Sequence, residues 1–324
     1  MSASVTEEFG QLTAPFRREL LVHCYRMLGS VHDAEDTVQE TYLRAWRAFD
    51  KFEGRSSLRT WLHRIATTAC LSALQNRNRR PLPSGLGSSC DPGDALVERP
   101  EIPWLEPLPD TVDGDPGTDP GAVVELREST RLAFIVALQH LSPRQRAVLI
   151  LRDVLSWKAS EVAEAVGVST AAVNSMLQRA RTQVRRATSP PGIAPAALSV
   201  QQRQLLDRYV EAFEAKDVAA LQELFTSDAV WEMPPFLNWV RGASRISRLV
   251  DLQCPAGPGD MRLLPTSANG QRAFAVYLRG AGGGFHPFQL QVLELRGPAV
   301  EHVVAFFDLR LFESFRLPEA LRAS

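Results

Sequence analysis

The chain has 324 residues, 45% hydrophobic and 23% charged, which allows two or three globular domains, each with its own core. No apolar run approaches the length of a bilayer span, and the start MSASVTEEF has neither a basic region nor an apolar stretch behind it, so a cytoplasmic protein without export signal or membrane segment is expected. Cys24, Cys70, Cys90 and Cys254 are scattered, with no C-x-x-C pair and no histidines at ligand spacing, so no metal, cofactor or disulfide framework is expected.

The net charge of −1 conceals an asymmetry. Residues 15–83 carry twelve Lys and Arg against seven Asp and Glu, and residues 128–187 carry nine against four. Between them, residues 84–127 carry two against ten. Two basic islands flanking an acidic strip suggest two modules that face nucleic acid, joined by a segment that does not.

Phe16 to Arg80 reads as helical. Leu20, Leu21, Cys24, Tyr25 and Leu28 form the apolar stripe of a first helix, which Gly29 ends. Asp33 is expected to cap the next helix, with Glu35 and Asp36 in its first turn and Ala34, Val38, Tyr42, Ala45 and Phe49 inside. Asp36, Gln39, Glu40, Leu43 and Arg47 line another face, where a leucine among charges suits a docking surface for a protein. Lys51–Ser57 is a loop. A helix follows over Leu58–Asn76, with Leu58, Leu62, Ile65 and Ala69 inward and Arg55, Arg59, Trp61, His63 and Arg64 around its start. Cations interleaved with a tryptophan suit single-stranded nucleic acid, because bases stack on the ring while the cations follow phosphates; the alternative for Trp61 is a place in the core. Arg77, Arg79 and Arg80 form a basic tail. Pro81 to Arg127, rich in Pro, Gly and Asp, reads as an irregular linker in which Trp104-Leu105-Glu106-Pro107-Leu108-Pro109-Asp110 buries apolar groups or offers them to a partner.

Leu141 to Arg186 reads as a helix-turn-helix. Ser142, Pro143 and Gln145 have the form of an N-cap, a first-turn proline and a capping-box partner, starting a helix that runs through Leu151. A second helix starts near Lys158 and stops at Gly167. Ser169 caps a third, whose apolar stripe is Val173, Leu177, Ala180 and Val184. Its other face carries Asn174, Ser175, Gln178, Arg179, Arg185 and Arg186, with Arg181 on the flank: groups that can read base edges beside guanidiniums that can hold phosphate. The alternative is a helical hairpin with a solvated basic face. After a second linker over Thr188–Ala197, two amphipathic helices (Leu205 to Phe213 and Val218 to Phe225) precede a strand over Ala229–Met233. Hairpins follow about Asn269-Gly270 and Gly297-Pro298, which gives an α+β cone.

The stretch CYRMLGSVHDAEDTVQETYLRAWRAFDKFEGRSSLRTWLHRIA resembles region 2 of sigma-70-type transcription initiation factors of the extracytoplasmic-function (ECF) group, and SPRQRAVLILRDVLSWKASEVAEAVGVSTAAVNSMLQRAR resembles their region 4. The resemblance implies a multidomain protein whose partners are core RNA polymerase and promoter DNA. It places polymerase docking on Asp36, Gln39, Glu40 and Leu43, and the minus-10 element on Phe52, Ser56, Ser57, Arg59, Trp61 and Arg64. It places the minus-35 element on Ser169, Ala172, Asn174, Ser175, Gln178, Arg179 and Arg181. Where the family often has I-A-x-N-x-x-x-D, this chain has Ile65, Ala66, Thr68 and Ser72, which bears on the bases preferred. The acidic linker would imitate nucleic acid where the family's linker threads the polymerase cleft. WLEPLPD is similar to the subgroup that carries an added C-terminal domain.

RYVEAFEAKDVAALQELFTSDAVWEMPP resembles the start of SnoaL-like domains of the NTF2 fold. The expected organisation is region 2 over 1–83, acidic linker over 84–127, region 4 over 128–187, linker over 188–200 and SnoaL-like domain over 201–324. No catalytic motif appears in the sigma domains. For the last domain two readings stand. One is regulation in cis, with a candidate small-molecule pocket lined by Trp231, Met233, Trp239, Tyr277 and Phe288. The other is a cyclase- or isomerase-like enzyme using Asp228, Glu232, His286 or His302 as base.

Overall fold

A computed structural model of the chain describes residues 3–75, 79–110, 129–187 and 198–322. Asn76 and Arg77, the end of the acidic linker and the Thr188–Ala197 linker lie outside the described residues. The chain forms two compact units. The first holds α1 (Ala3–Thr13), α2 (Arg17–Leu28), α3 (Val31–Ala48), α4 (Leu58–Ala73), the short stretch Leu105–Leu108, α5 (Leu132–Gln139), α6 (Pro143–Leu149), α7 (Ala159–Val166) and α8 (Thr170–Ala187). The second holds Pro81–Trp104, Pro109, Asp110 and the chain from Leu198 onward.

In the first unit α2 is buried on every side from Leu20 to Leu28, not along one stripe, because α3, α4, α5 and α6 all pack on it. Its burial therefore includes His23 and Arg26. Gly29, at φ 71°, ends α2 in the left-handed region, where a side chain would be strained. The cap of α3 is Ser30 rather than Asp33: the sharp turn at Gly29 leaves Ser30 extended, and its Oγ accepts from the Asp33 N–H at 3.1 Å. The Asp33 carboxylate is thereby left to pair with Arg80 at 2.5 Å. On α4 the buried set is Leu62, His63, Ala66, Thr67, Ala69 and Cys70, so the inward face is turned from the expected one and leaves Leu58 and Ile65 half-buried. After the Ser142–Gln145 capping box, α6 loosens into a π-helical turn over Ile150–Val154.

In the second unit α9 (Val200–Glu214), α10 (Val218–Leu224) and α11 (Ala243–Gln253) cover a six-stranded sheet. Its strands are β1 (Phe225–Glu232), β2 (Trp239–Arg241), β3 (Met261–Ala268), β4 (Gln271–Arg279), β5 (Phe285–Arg296) and β6 (Ala299–Phe306), in the order β2-β1-β6-β5-β4-β3. β1 and β6 run parallel; the other neighbours are antiparallel. Asn269 and Gly270, both at positive φ, turn the β3–β4 hairpin in two residues, as the Asn-Gly pair predicts. Tyr209 stacks on Phe274 at 5.6 Å, and Phe213 on Trp231 at 5.9 Å, which fills the space between helices and sheet.

The linker over Pro81–Asp110 is irregular yet bonded along most of its length. In the second unit Glu232 accepts from the Ser84 N–H at 2.7 Å, and the Trp239 indole donates to Gly87 O at 3.0 Å. Asn238 holds Ala95 O and the Val97 N–H, and Gly270 N donates to Asp110. In the first unit Leu105, Glu106 and Leu108 are buried. The Glu106 backbone donates to Gly29 O and accepts from the Tyr25 hydroxyl, while its carboxylate takes the Ser30 hydroxyl at 2.6 Å and the His32 ring at 2.8 Å. Burial pushes this carboxyl upward, but the His32 and Ser30 bonds outweigh it and hold the group below its usual value.

Candidate polymerase and nucleic-acid surfaces

On α3 the residues assigned to polymerase docking stand three, four and seven positions from Asp36, one face of a helix. Asp36 and Gln39 are exposed, Leu43 is 50% exposed, and half-buried Glu40 pairs with Arg44 at 2.6 Å. None of the four contributes to the buried core of the unit. An exposed leucine ringed by carboxylates and an amide is the anatomy of a small protein-docking patch.

At the start of α4 the six minus-10 candidates divide. Trp61 is half-buried, its ring 4.9 Å from Phe52 and 6.5 Å from Phe49, so it combines partial burial with a remaining open surface. Ser57 is the N-cap of α4, accepting from the Thr60 N–H at 3.1 Å, and Ser56 lies half-buried before it. Arg59 donates to Glu19 at 2.6 Å and Arg64 to Glu164 at 2.8 Å. His63, grouped with these cations by sequence, is instead buried against His23, ring centroids 5.2 Å apart. Burial, with Arg59 and Arg26 nearby, lowers its pKa to about 4, so it is a neutral core group and not a surface cation.

The helix-turn-helix forms as expected. Gly167, at φ 70°, ends α7, and the Ser169 hydroxyl accepts from the Ala172 N–H at 3.2 Å to cap α8. Val173, Leu177 and Ala180 are buried, which turns Asn174, Ser175, Gln178 and Arg179 to solvent, with Arg185 and Arg186 in the last turn. Ala172 is half-buried at the base of this face. Arg181 is engaged at its flank: its guanidinium forks onto Asp153 at 2.8 and 2.6 Å.

Sequence reasoning passed over Arg146. It is 2% exposed and donates to Met27 O, Gln139 Oε1 and Leu141 O. Burial lowers its pKa to about 10. The available signal was its spacing: three and four residues before Leu149 and Ile150, it falls on the inward phase of α6.

The five pocket candidates of the sheet domain take different places, and Phe288 packs against the same apolar cluster as Trp231 and Met233. Trp231 and Met233 are core residues under the helices, whereas Trp239 is the register partner of Glu232 and so lies on the opposite face of β1 and β2. Tyr277 donates to Pro318 O and meets Phe312 edge-on, and Phe288 packs against Phe307. Of the candidate bases, Asp228 pairs with Arg296 at 2.6 Å, His286 is exposed, and Glu232 and His302 bond each other at 2.8 Å.

Residues 12–80 match the Sigma-70 region 2 family, residues 131–184 the Sigma-70 region 4 family, and residues 206–310 the SnoaL-like domain family. The chain is 60% identical over 319 residues to the ECF RNA polymerase sigma factor SigG of Mycobacterium tuberculosis, covering 97% of this chain and 85% of that one. It is 31% identical over 252 residues to SigJ of the same species, covering 75% and 72%. The crystal structure of M. tuberculosis SigJ superposes with a TM-score of 0.60 at 25% identity, over 97% of this chain and all of that one. Among the described residues, no helix is long and apolar enough to cross a membrane.

Proposed function

The chain belongs to the ECF RNA polymerase sigma factors, and from that premise we propose how its parts divide the work. As a sigma factor it binds core RNA polymerase and directs initiation at promoter DNA. In the reading we favour, the α3 face of Asp36, Gln39, Glu40 and Leu43 docks the polymerase. The start of α4 and its preceding loop (Phe52, Ser56, Ser57, Arg59, Trp61, Arg64) meet the minus-10 element. The α8 face (Asn174, Ser175, Gln178, Arg179, with Ser169, Ala172 and Arg181 beside it) meets the minus-35 element. Support comes from exposure: the base-facing side chains of α8 are open while its apolar stripe is spent on packing.

The SnoaL-like domain regulates these functions in cis and without catalysis. The carrying observation is that the stretch between regions 2 and 4 is bonded to Glu232, Asn238, Trp239 and Gly270 of that domain. A domain that holds the linker controls how far regions 2 and 4 can part. A contact tethered in one chain acts at an effective concentration on the order of millimolar, so even a weak hold is populated. The enzyme reading would draw on Glu232, whose carboxylate takes the Ser84 N–H and the His302 ring.

The test is promoter-dependent transcription in vitro, at matched occupancy of core enzyme, with the full chain, with Asn238→Ala and with residues 1–187. Altered output for both variants is expected. Output and promoter choice identical to the full chain in both would remove the regulatory role.

A further inference from the structure

Three side-chain contacts lay out the seam between α2 and α4. Arg59 donates to Glu19 at 2.6 Å, the His23 and His63 rings stand 5.2 Å apart, and His23 Nε2 bonds the Thr67 hydroxyl at 2.9 Å. Each step along α2 is thus matched by a step along α4, and the two helices run in the same direction. On α4, His63, Thr67 and Cys70 follow one another at spacings of four and three, which puts them on one face. On α2, Cys24 directly follows His23, so this seam carries the Cys70 sulfur to Cys24. Both residues are fully buried, and the Cys70 thiol is hydrogen-bonded to Cys24. Burial and that bond push the Cys70 thiol well above its usual value, against the pull of the nearby Arg146 guanidinium.

No part of polymerase docking or promoter binding uses these two sulfurs. All four cysteines of the chain are free thiols. The other two lie in the second unit and are engaged elsewhere: Cys90 Sγ donates to Trp239 O at 3.3 Å, and Cys254 Sγ is 3.8 Å from Met261 Sδ. Cys24 and Cys70 both belong to the first unit and come from two different helices, so a bond between them would tie α2 to α4.

We propose that Cys24 and Cys70 are the site of a reversible disulfide, formed by hydroperoxides, that braces α2 against α4 within region 2. One sulfur, as the thiolate, attacks a peroxide oxygen; the O–O bond breaks, and the thiol's proton leaves with the departing oxygen as water. The sulfenic acid so formed is attacked by the second sulfur: the S–O bond breaks, the S–S bond forms, and the second thiol's proton leaves in a second water. The two sulfurs together give up two electrons, and the peroxide takes both. Access sets the rate, because a buried thiol is inert. Cys70 stands in the last turn of α4, three residues before its end at Ala73, and helix ends open locally at little cost. The product closes a loop that contains α3, which removes freedom from the unfolded chain and leaves the exposed face of Asp36, Gln39 and Leu43 untouched.

The experiment uses the full-length protein carrying Cys90→Ser and Cys254→Ser, so that the pair alone can react. It is treated with hydrogen peroxide, denatured in iodoacetamide, and run on a non-reducing gel; the monomer band is then digested with trypsin. Peptides 19–26 and 65–77 are expected to appear joined, at a mass two hydrogens below their sum, and to separate after dithiothreitol. The oxidised protein is expected to melt at least about 5 °C higher and to return on reduction. Cys24→Ala and Cys70→Ala should each abolish the joined peptides and the gain in melting temperature. Both peptides recovered singly, alkylated or as sulfinic acids, at every peroxide concentration that leaves the protein folded would overturn the site. Joined peptides with an unchanged or lowered melting temperature would overturn the brace.

Discussion

Arg181 holds Asp153 through both ends of its guanidinium, at 2.8 and 2.6 Å, from the flank of the helix assigned to the minus-35 element. The cation on that flank is therefore already satisfied by a carboxylate from the π-helical turn after α6. Replacing Asp153 with Asn frees a charge for phosphate. We expect duplex binding to tighten and the slope of log affinity against log salt to steepen by about one unit, with a stability loss below about 1 kcal/mol. Anisotropy titrations from low to moderate salt would show it; an unchanged slope would mean that Arg181 never reaches the backbone.

Arg179 and Asn174 should separate by kind of effect. Arg179→Ala is expected to weaken binding to all duplexes alike and to flatten the salt slope, because a guanidinium on phosphate carries no sequence information. Asn174→Ala is expected to relax preference at one base pair by about 1 to 3 kcal/mol. A competition series over single-base variants of a bound promoter distinguishes the two; the same uniform loss from both would overturn the division.

Reversing Asp36 and Glu40 to Lys should abolish co-purification with core polymerase. Both side chains lie outside the buried set of α3, so the melting temperature is expected to stay within the range of ordinary surface changes, about 0.5 kcal/mol. A large loss of stability in the double variant would instead make them structural.

His63 predicts an acid-sensitive N-terminal bundle. Its pKa is about 4 in the folded chain, below the ordinary value of 6.5, because the ring is buried beside Arg59 and Arg26. The unfolded chain therefore takes up the proton first as pH falls. Stability is at its full value above about pH 6.5 and declines toward pH 4, by about 3 kcal/mol from this group. His23, lowered by burial in the same way, adds to the decline. His63→Leu should flatten this part of the stability profile in denaturant titrations at pH 7, 6 and 5.

Much of this architecture was legible in the sequence because local chemistry agreed with the global fold. The Ser142 capping box, the Gly167 stop, the α8 stripe and the Asn269-Gly270 hairpin each form where their residues place them. What escaped was what only tertiary contact decides. His63 fell among cations in sequence, yet the turn of α4 that buries Ala66 and Cys70 carries the imidazole inward too. Asp33 had the chemistry of a cap, but Ser30 lay three residues nearer the left-handed glycine. Of the residues read as a pocket lining, Trp231 and Met233 are core residues under the helices, a placement set by the packing of α9, α10 and α11 on the sheet. Arg146 gave no sign of burial beyond its helical phase, because its partners are backbone and amide oxygens, Met27 O among them from 119 residues away, rather than a carboxylate that spacing could reveal.

Leu105–Leu108 packs into the first unit, while the residues immediately before and after it belong to the second. Between regions 2 and 4 this protein thus has a keyed strip rather than a length of cord. Swapping it for a glycine-serine tether of equal length would preserve reach and lose every contact that Glu106 and Leu108 make.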